Sequence, residues 1–301
     1  MSGPGRRCGD GVQCCRPCYN ESAYIAETIN SLRAQRFRGG WEIVVVDNTC
    51  TDDPAEIARG LGARVVVEER RGVCSARQRG AEATSGEIIV SADADTIYPP
   101  DWLATIDAAF RADELVVAVA GPCRYRAGPF RGRVYGRLLF GSVDLIYRLT
   151  GRVWYVSATN LAFCRERWPG YDVRLTQGGD ELDLLRKLRR SGVVRYEHAN
   201  AVWTSSRRLT RGLLYNIVVT LVVYYLSAYL LNRVFGRPIV GSAPPCRKDT
   251  RRSPGRSRLA AGVVAVVLVL SPVADSAQVA ATASHAVLEQ LSVLLDPDQG
   301  R

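Results

Sequence analysis

The sequence is poor in histidine, which limits the metal sites that it can form. It contains two histidines and nine cysteines in 301 residues, and neither histidine is near the N-terminal cysteines. Five cysteines fall within the first fifty residues, but the pair Cys15-x-x-Cys18 has no second C-x-x-C to complete a four-ligand site. A zinc site is therefore disfavoured. We interpret this segment as a cysteine-rich strand of a protein with reduced thiols.

The chain also lacks a recognisable nucleic-acid-binding motif, although it is strongly basic. Its formal net charge is +10 and its pI is about 9.3. Such a charge favours an anionic partner, for example a nucleotide phosphate or an acidic membrane face. Because the basic residues are spread along the chain without such a motif, we predict no nucleic-acid partner. Residues 1–11 are polar and Gly-rich without an apolar stretch, so no signal peptide is predicted.

Short apolar runs alternate with helical patterns over the first hundred residues. The chain is 47% hydrophobic and long enough for one large α/β domain or two small ones. Strands and helices that alternate in such short units predict a parallel sheet with helices on its faces. The predicted strands are residues 12–15, 41–47, 64–67 and 88–90, and the clearest predicted helices are residues 23–32 and 73–83.

Aspartates follow two of these strands at their carboxyl ends. Asp47 ends the strand 41–47, and Asp93 and Asp95 follow the strand 88–90. In open α/β sheets, ligands bind just beyond this edge. A D-x-D on a strand end suits Mg²⁺ or Mn²⁺, which bind a few carboxylate oxygens together with substrate phosphate oxygens. An isolated D-x-D is also typical of a solvated acidic turn.

Several motifs in a fixed order resemble family 2 glycosyltransferases of the GT-A fold. The resemblance covers roughly residues 11–210 and implies a Rossmann-like, mostly parallel sheet flanked by helices, with a catalytic domain over residues 1–210. The motifs are Pro17-x-Tyr19-Asn20-Glu21, Asp47-Asn48-x-x-Thr51-Asp52, Ala76-Arg77-x-x-Gly80, Asp93-Ala94-Asp95, Ser157-Ala-Thr-Asn160-Leu-Ala-Phe163, and Gly178-Gly179-Asp180-Glu181-Leu182-Asp183-Leu184, which is similar to an E-D-x-[DE]-L block.

The resemblance implies transfer of a sugar from a nucleotide-diphosphate sugar, with inversion at the anomeric carbon. The protein then has to stabilise the departing phosphates and supply a base for the incoming oxygen. The implied nucleotide-site residues are Tyr19, Glu21, Asp47, Arg77, Asp93 and Asp95. Tyr19 would stack on the nucleobase, Asp47 would hydrogen-bond to it, and Asp93 would contact the ribose. Arg77 offers a planar set of donors to the nucleotide, and Asp95 would hold the Mg²⁺ or Mn²⁺.

Asp180 is the predicted general base. Gly179 stands where the family commonly has Glu, and the neighbouring Glu181 and Asp183 would raise the proton affinity of Asp180. The alternative interpretation of Asp180 is an N-cap for the helix that follows. A base is needed for a hydroxyl acceptor but not for an anionic polyprenyl phosphate, so a glycan or lipid-linked sugar is the predicted acceptor.

The C-terminal third predicts membrane association of residues 211–301. Residues 212–232 carry no charge, residues 259–274 carry none, and residues 233–258 between them carry eight Lys or Arg. We predict a cytoplasmic catalytic domain, an interfacial helix at 212–232 and a crossing at 259–274. A buried core helix is the alternative for 212–232. Arg207 and Arg208 would meet either a diphosphate or lipid headgroups.

The predicted function is therefore that of a membrane-associated inverting glycosyltransferase acting on a hydroxyl acceptor. Three alternatives remain: a polyprenyl-phosphate glycosyltransferase, a sugar-phosphate nucleotidyltransferase and an inactive membrane scaffold of the same fold. The nucleotidyltransferase class usually opens with a Gly-rich loop ending in Arg, and residues 17–21 do not form one.

Overall fold

The computed structural model describes residues 12–18, 21–126, 130–175 and 179–207, and for residues 12–18, 130–132 and 179 only the backbone is described. All of them belong to a unit that spans Met1–Arg247, whereas a second unit spans Lys248–Arg301. Tyr19, Arg208 and the apolar segments 212–232 and 259–274 lie outside the described residues. The predicted domain boundary at residue 210 stays a prediction.

Ten strands and six α-helices make up the described part. The strands are β1 Val12–Cys18, β2 Trp41–Asp47, β3 Arg64–Val67, β4 Ile88–Ser91, β5 Thr96–Ile97, β6 Val116–Ala120, β7 Cys123–Arg126, β8 Leu161–Cys164, β9 Val193–Tyr196 and β10 Val202–Ser205. The helices are α1 Ser22–Arg33, α2 Pro54–Gly60, α3 Val73–Ala83, α4 Trp102–Ala112, α5 Phe130–Thr150 and α6 Gly179–Ser191, and a short 3-10 turn spans Ala158–Asn160.

Seven strands form the main sheet, in the order β3-β2-β1-β4-β8-β6-β9. β1 to β4 are mutually parallel where they pair, as the alternation of strands and helices predicts. β8 runs antiparallel to both β4 and β6, so the sheet is mixed. The parallel half places the ends of β2 and β4 at one edge, with β1 between them.

The core lies on both faces of this sheet. All four residues of β4 are buried, which accounts for its continuous apolar sequence. On α1, Ile25, Ile29 and Leu32 are fully buried, as their spacing predicts. The Thr28 hydroxyl on the same helix donates to the Ala94 carbonyl at 2.9 Å and so ties α1 to the D-x-D segment.

A second sheet of three strands, in the order β5-β10-β7, lies beside the D-x-D segment. Its central strand, β10, pairs antiparallel with β5 and parallel with β7. Thr204 is opposite Thr96, and Trp203 is opposite Ile97 and Arg124. The sheet therefore brings a strand from the end of the described chain next to Asp95.

Two further observations bear on the sequence predictions. Cys164 is disulfide-bonded, whereas Cys74 and Cys123 are free; the side chains of the N-terminal strand, for which reduced thiols are predicted, lie outside the described residues. Among the residues that the structure describes, no helix combines the length and the apolar character needed to cross a bilayer.

Candidate active site

Arg77 lies at the centre of a buried cluster of carboxylates. α3 presents its guanidinium, only 4% exposed, to acids of α6 and of the loop after β4. Nη1 donates a hydrogen bond to Oδ2 of Asp180, and Nη2 lies 3.3 Å from Oδ1 of Asp93 and 3.9 Å from Oε1 of Glu181. Burial alone would lower the pKa of Arg77, but the charges of Asp180, Asp93 and Glu181 raise it well above its ordinary value. The cation is therefore permanent and holds the three acids together.

Asp180 and Glu181 lie at the start of α6 and make different contacts with the Arg77 guanidinium. The Asp180 side chain has no exposed surface and is fixed by its ion pair with Arg77. Glu181, 8% exposed, accepts a hydrogen bond on Oε1 from the Ala158 amide at 3.0 Å, and its buried Oε2 has no hydrogen-bond partner among the described residues. Burial, with the charge of Asp180 second, raises the pKa of Glu181 to about 8.

Asp183, the third acid of this segment, points to a different environment. It pairs with Arg186 at 2.9 Å and with Lys187 at 2.7 Å, one turn further along α6. These i,i+3 and i,i+4 pairs hold the pKa of Asp183 below its ordinary value, against the effect of burial. Asp183 is therefore a buried acid whose described ion pairs are with Arg186 and Lys187 of its own helix.

Arg207 bridges two of the predicted nucleotide-site residues. Its Nη2 lies 2.6 Å from Oδ2 of Asp95 and 2.9 Å from Oε2 of Glu21, which is almost fully buried. The guanidinium also lies over the ring of Tyr24, 4.3 Å from its centroid. Burial acts to lower the pKa of Arg207, but the two carboxylates raise it above its ordinary value. Of the two environments considered for Arg207, the structure places it at the D-x-D edge.

Asp47 lies at the end of β2, apart from both clusters. Its Oδ1 accepts a hydrogen bond from the Cys50 amide at 3.1 Å, and so closes the turn after the strand. The adjacent Asn48 side chain binds the carbonyls of Glu68 and Arg70 and accepts from the Gly72 amide. These bonds hold the loop that starts α3, and thus the helix that carries Arg77.

The D-x-D carboxylates suit a divalent cation that is held mainly by substrate oxygens. Asp93 and Asp95 keep 34% and 18% of their side chains exposed, although each also faces a guanidinium. Within the described residues, no group of three or more His, Cys, Asp or Glu side chains could enclose a metal by itself. An Mg²⁺ or Mn²⁺ bound by one or two carboxylates and by phosphate oxygens fits this donor set.

Contacts across long stretches of sequence were beyond sequence reasoning. Arg77 and Asp180 are 103 residues apart, and Arg207 and Asp95 are 112 apart. Glu181 was also missed as a site residue. The available signal is a shift of the E-D-x-[DE]-L alignment by one residue onto Asp180-Glu181-Leu182-Asp183-Leu184, which places an acidic residue at each acidic position and Leu184 at the leucine.

Comparison with known sequences identifies the family. A sequence model of Glycosyl transferase family 2 matches residues 14–166. An uncharacterized glycosyltransferase of Mycobacterium tuberculosis is 39% identical over 148 residues, which are 48% of this chain and 62% of the relative. Glycosyltransferase AglE of Haloferax volcanii is 32% identical over 94 residues, 29% of this chain and 31% of the relative. The chain thus spans about three fifths of the mycobacterial relative.

Comparison with solved structures concerns the fold. A glucosyl-3-phosphoglycerate synthase from Mycobacterium tuberculosis, solved with Mn²⁺, UDP-glucose and phosphoglyceric acid, matches with a TM-score of 0.54 and 22% identity, over 76% of this chain and 81% of that one. The same enzyme with Mn²⁺, UDP-glucose and glycerol 3-phosphate matches with a TM-score of 0.55. The predicted α/β GT-A fold is confirmed, and its sheets are mixed. The family model covers half of the chain, and the chain therefore belongs to glycosyl transferase family 2.

Proposed function

We propose that this protein transfers a sugar from a nucleotide-diphosphate sugar to an acceptor hydroxyl, with inversion and with Mg²⁺ or Mn²⁺. The observation that carries the proposal is the position of two partly exposed carboxylates, Asp93 and Asp95, beside the buried Arg77 cluster at one sheet edge. Membership of the family supports the reaction class. The Mn²⁺ and UDP-glucose in the glucosyl-3-phosphoglycerate synthase structures make UDP-glucose the first donor to test.

Four residues of the site have separate roles in the proposed reaction. When bound, the divalent cation offsets the negative charge that builds on the departing diphosphate. Asp95 would hold it, and Asp93 would contact the ribose. Arg207, already at Asp95, supplies a second positive charge at the same edge. Arg77 orients Asp93 and does not contact the substrate itself, because the N–H donors of its guanidinium are directed at the carboxylates of Asp93 and Asp180.

The base of the reaction comes from the acidic pair at the start of α6. Sequence reasoning assigns it to Asp180, and that assignment stays a prediction. The contacts support Glu181 more strongly, for two reasons. Asp180 is fully buried, and Oδ2 of its carboxylate accepts a hydrogen bond from Arg77, so this acid is directed at a protein partner. Glu181 keeps an oxygen that has no hydrogen-bond partner within the described part of the chain, and its pKa is raised to about 8, close to the range in which a base is effective.

A donor panel tests the proposed reaction. We expect the full chain to release nucleoside diphosphate from one of the UDP or GDP sugars in the presence of Mn²⁺ and a membrane extract as a source of acceptors, and to stop when excess chelator is added. Release of pyrophosphate from a nucleoside triphosphate and a sugar phosphate would instead identify a nucleotidyltransferase. Donor binding without any release across the panel would identify an inactive scaffold. The product formed from the extract, identified by mass spectrometry, separates a hydroxyl acceptor from a polyprenyl phosphate.

Membrane association of residues 211–301, with a cytoplasmic catalytic domain, is a further part of the proposal. Its support is the composition of residues 212–232, 233–258 and 259–274, which lie outside the described residues. Each basic residue near an anionic bilayer contributes on the order of 1 kcal/mol. The full chain is therefore expected to sediment with phosphatidylserine-containing vesicles, and a chain truncated after residue 205 is expected to stay in the supernatant. Equal sedimentation of both would contradict the assignment to residues 211–301.

A further inference from the structure

A pocket with no role in the proposed reaction lies between α5 and the three-stranded sheet. It has a volume of about 430 Å³. Sites for small molecules commonly have volumes of about 300–1,000 Å³. Gly136 allows α5 to approach the sheet closely, because a Cβ at this position would lie 2.6 Å from the ring of Tyr125. One wall of the pocket is thus formed where α5 packs closely against the sheet, and the pocket is large enough for a small ligand.

The pocket and the D-x-D edge lie on opposite sides of β10. Thr204 faces Asp95, with its hydroxyl 3.5 Å from Oδ1 of that residue. Side chains of successive strand residues point to opposite faces, so Trp203 faces away from Asp95. Trp203 lines the pocket, as does Arg124, which pairs with it across the sheet. A molecule in this pocket would therefore not occupy the diphosphate site.

The lining carries an excess of positive charge that the described protein does not neutralise. Arg124, Arg133 and Arg137 line the pocket, together with His198. Within the described part of the chain, none of these three guanidiniums forms an ion pair. The acidic residue of the lining, Asp144, is paired with Arg148 at 2.9 Å. Three guanidiniums that line one pocket and have no carboxylate partner among the described residues favour an anion, and their planar donor sets match phosphate oxygens.

Tyr196 adds a second and independent observation. Its side chain lines the pocket and is 4% exposed, yet its buried hydroxyl has no hydrogen-bond partner among the described residues. A buried hydroxyl without a partner is unfavourable, and most are satisfied by protein, water or ligand. Burial raises the pKa of Tyr196, so the phenol keeps its proton and is available as a donor.

We propose that this pocket is a second ligand site, which binds a phosphate-bearing small molecule with a ring or other apolar body. The guanidiniums of Arg124, Arg133 and Arg137 bind the phosphate at the exposed side. The Trp203 ring, which already stacks beneath Arg124 at 5.9 Å, packs on the apolar body. The Tyr196 hydroxyl donates a hydrogen bond to an oxygen of the bound molecule.

Phenyl phosphate is a suitable probe, because it combines a phosphate with a small ring. We would titrate it into the full chain by calorimetry and compare Arg124→Gln/Arg137→Gln with Arg38→Gln/Arg190→Gln. The control removes the same charge from two exposed arginines outside the pocket. Loss of two charge-assisted contacts is expected to weaken binding by tenfold or more, and the control is expected to stay within about twofold of the wild type.

Tyr196→Phe separates a ligand contact from a structural role. We expect the variant to bind phenyl phosphate about fivefold to tenfold more weakly, with a melting temperature that is unchanged or higher, because the unpaired hydroxyl is gone. Unchanged affinity would overturn the role of the hydroxyl. Absence of millimolar binding to the wild type, or equal losses in the two arginine pairs, would overturn the site.

A titration of UDP with Mn²⁺ in the same samples keeps this inference separate from the proposed reaction. UDP is expected to bind the Arg124→Gln/Arg137→Gln variant as it binds the wild type, and to bind in the presence of phenyl phosphate without competition. Competition would show that phenyl phosphate enters the nucleotide site, and would contradict a second site. Failure of every donor sugar to react would leave the phenyl phosphate result standing.

Discussion

Asp95→Asn is expected to lower the rate of sugar transfer by about a thousandfold at saturating donor. The substitution keeps the size of the side chain and removes the charge that would hold the divalent cation, so the departing diphosphate loses most of its compensation. Arg207 retains its pairing with Glu21 at 2.9 Å, and the local fold is therefore expected to persist. The measurement is turnover with increasing Mn²⁺, alongside calorimetry of UDP with and without Mn²⁺.

The matched control for this variant is Asp101→Asn. Asp101 also pairs with an arginine, Arg36, at 3.0 Å, but its side chain is 62% exposed and it lies at the start of α4. An exposed pair of this kind contributes little, so activity and its Mn²⁺ dependence should match those of the wild type. Mn²⁺ is expected to tighten UDP binding in the wild type and the control but not in Asp95→Asn. Full turnover of Asp95→Asn, or of the wild type in excess chelator, would refute the metal site.

The elements that sequence patterns predict well are those whose signal is local. The limits of β2, α3 and β4 are predicted to within one residue, because each is an uninterrupted apolar run or a clear helical period bounded by turn-forming residues. The antiparallel course of β8 has no such signal, since strand direction depends on the path of the chain through α5. The small sheet was also not predicted, because its strands β5, β7 and β10 contain no run of apolar residues.

The candidate site, too, has parts that the sequence predicts and parts that it does not. Positions at strand ends, such as Asp93 and Asp95, follow from the strands that precede them. The charge balance of the site does not follow from the sequence, because Arg77 meets Asp180 and Arg207 meets Asp95 only in the folded chain. The environment of each acid also depends on the fold. Asp180 and Glu181 are adjacent and look alike in the sequence, and their environments differ only once the folded chain has placed Arg77 beside them. Sequence reasoning therefore singled out Asp180 and gave its neighbour Glu181 no role of its own.

Glu181→Gln is expected to lower transfer to a hydroxyl acceptor by about 10²-fold to 10⁴-fold, the range for loss of a general base. The amide keeps the shape and the acceptor for the Ala158 amide, so the start of α6 should stay in place. Because Glu181 has a pKa of about 8 and must be deprotonated to accept a proton, kcat/KM of the wild type is expected to rise as the pH increases through about 8. In Glu181→Gln that rise should be absent.

Stability against pH provides a readout that does not depend on turnover. The pKa of Glu181 is raised by folding above its ordinary value of 4.5, so the folded state binds this proton more tightly than the unfolded state. The contribution of Glu181 to stability is therefore complete below about pH 4.5 and is lost as the pH rises towards 8. Glu181→Gln removes this dependence, and its melting temperature relative to the wild type should increase over that interval.

Asp180→Asn decides between the two acids. It removes one of the three carboxylate partners of the buried Arg77, the one that lies nearest to its guanidinium, and loss of one member of a buried ion pair typically costs about 3 kcal/mol or more. We therefore expect a lower melting temperature, and a lower rate that still rises with pH because Glu181 remains, but at a lower pH than in the wild type because the charge of Asp180 no longer raises the pKa of Glu181. If Asp180→Asn instead folds and binds UDP normally but loses both transfer and the pH rise, while Glu181→Gln keeps near-normal turnover, then Asp180 is the base that the sequence predicted and Glu181 only positions the 3-10 turn through Ala158.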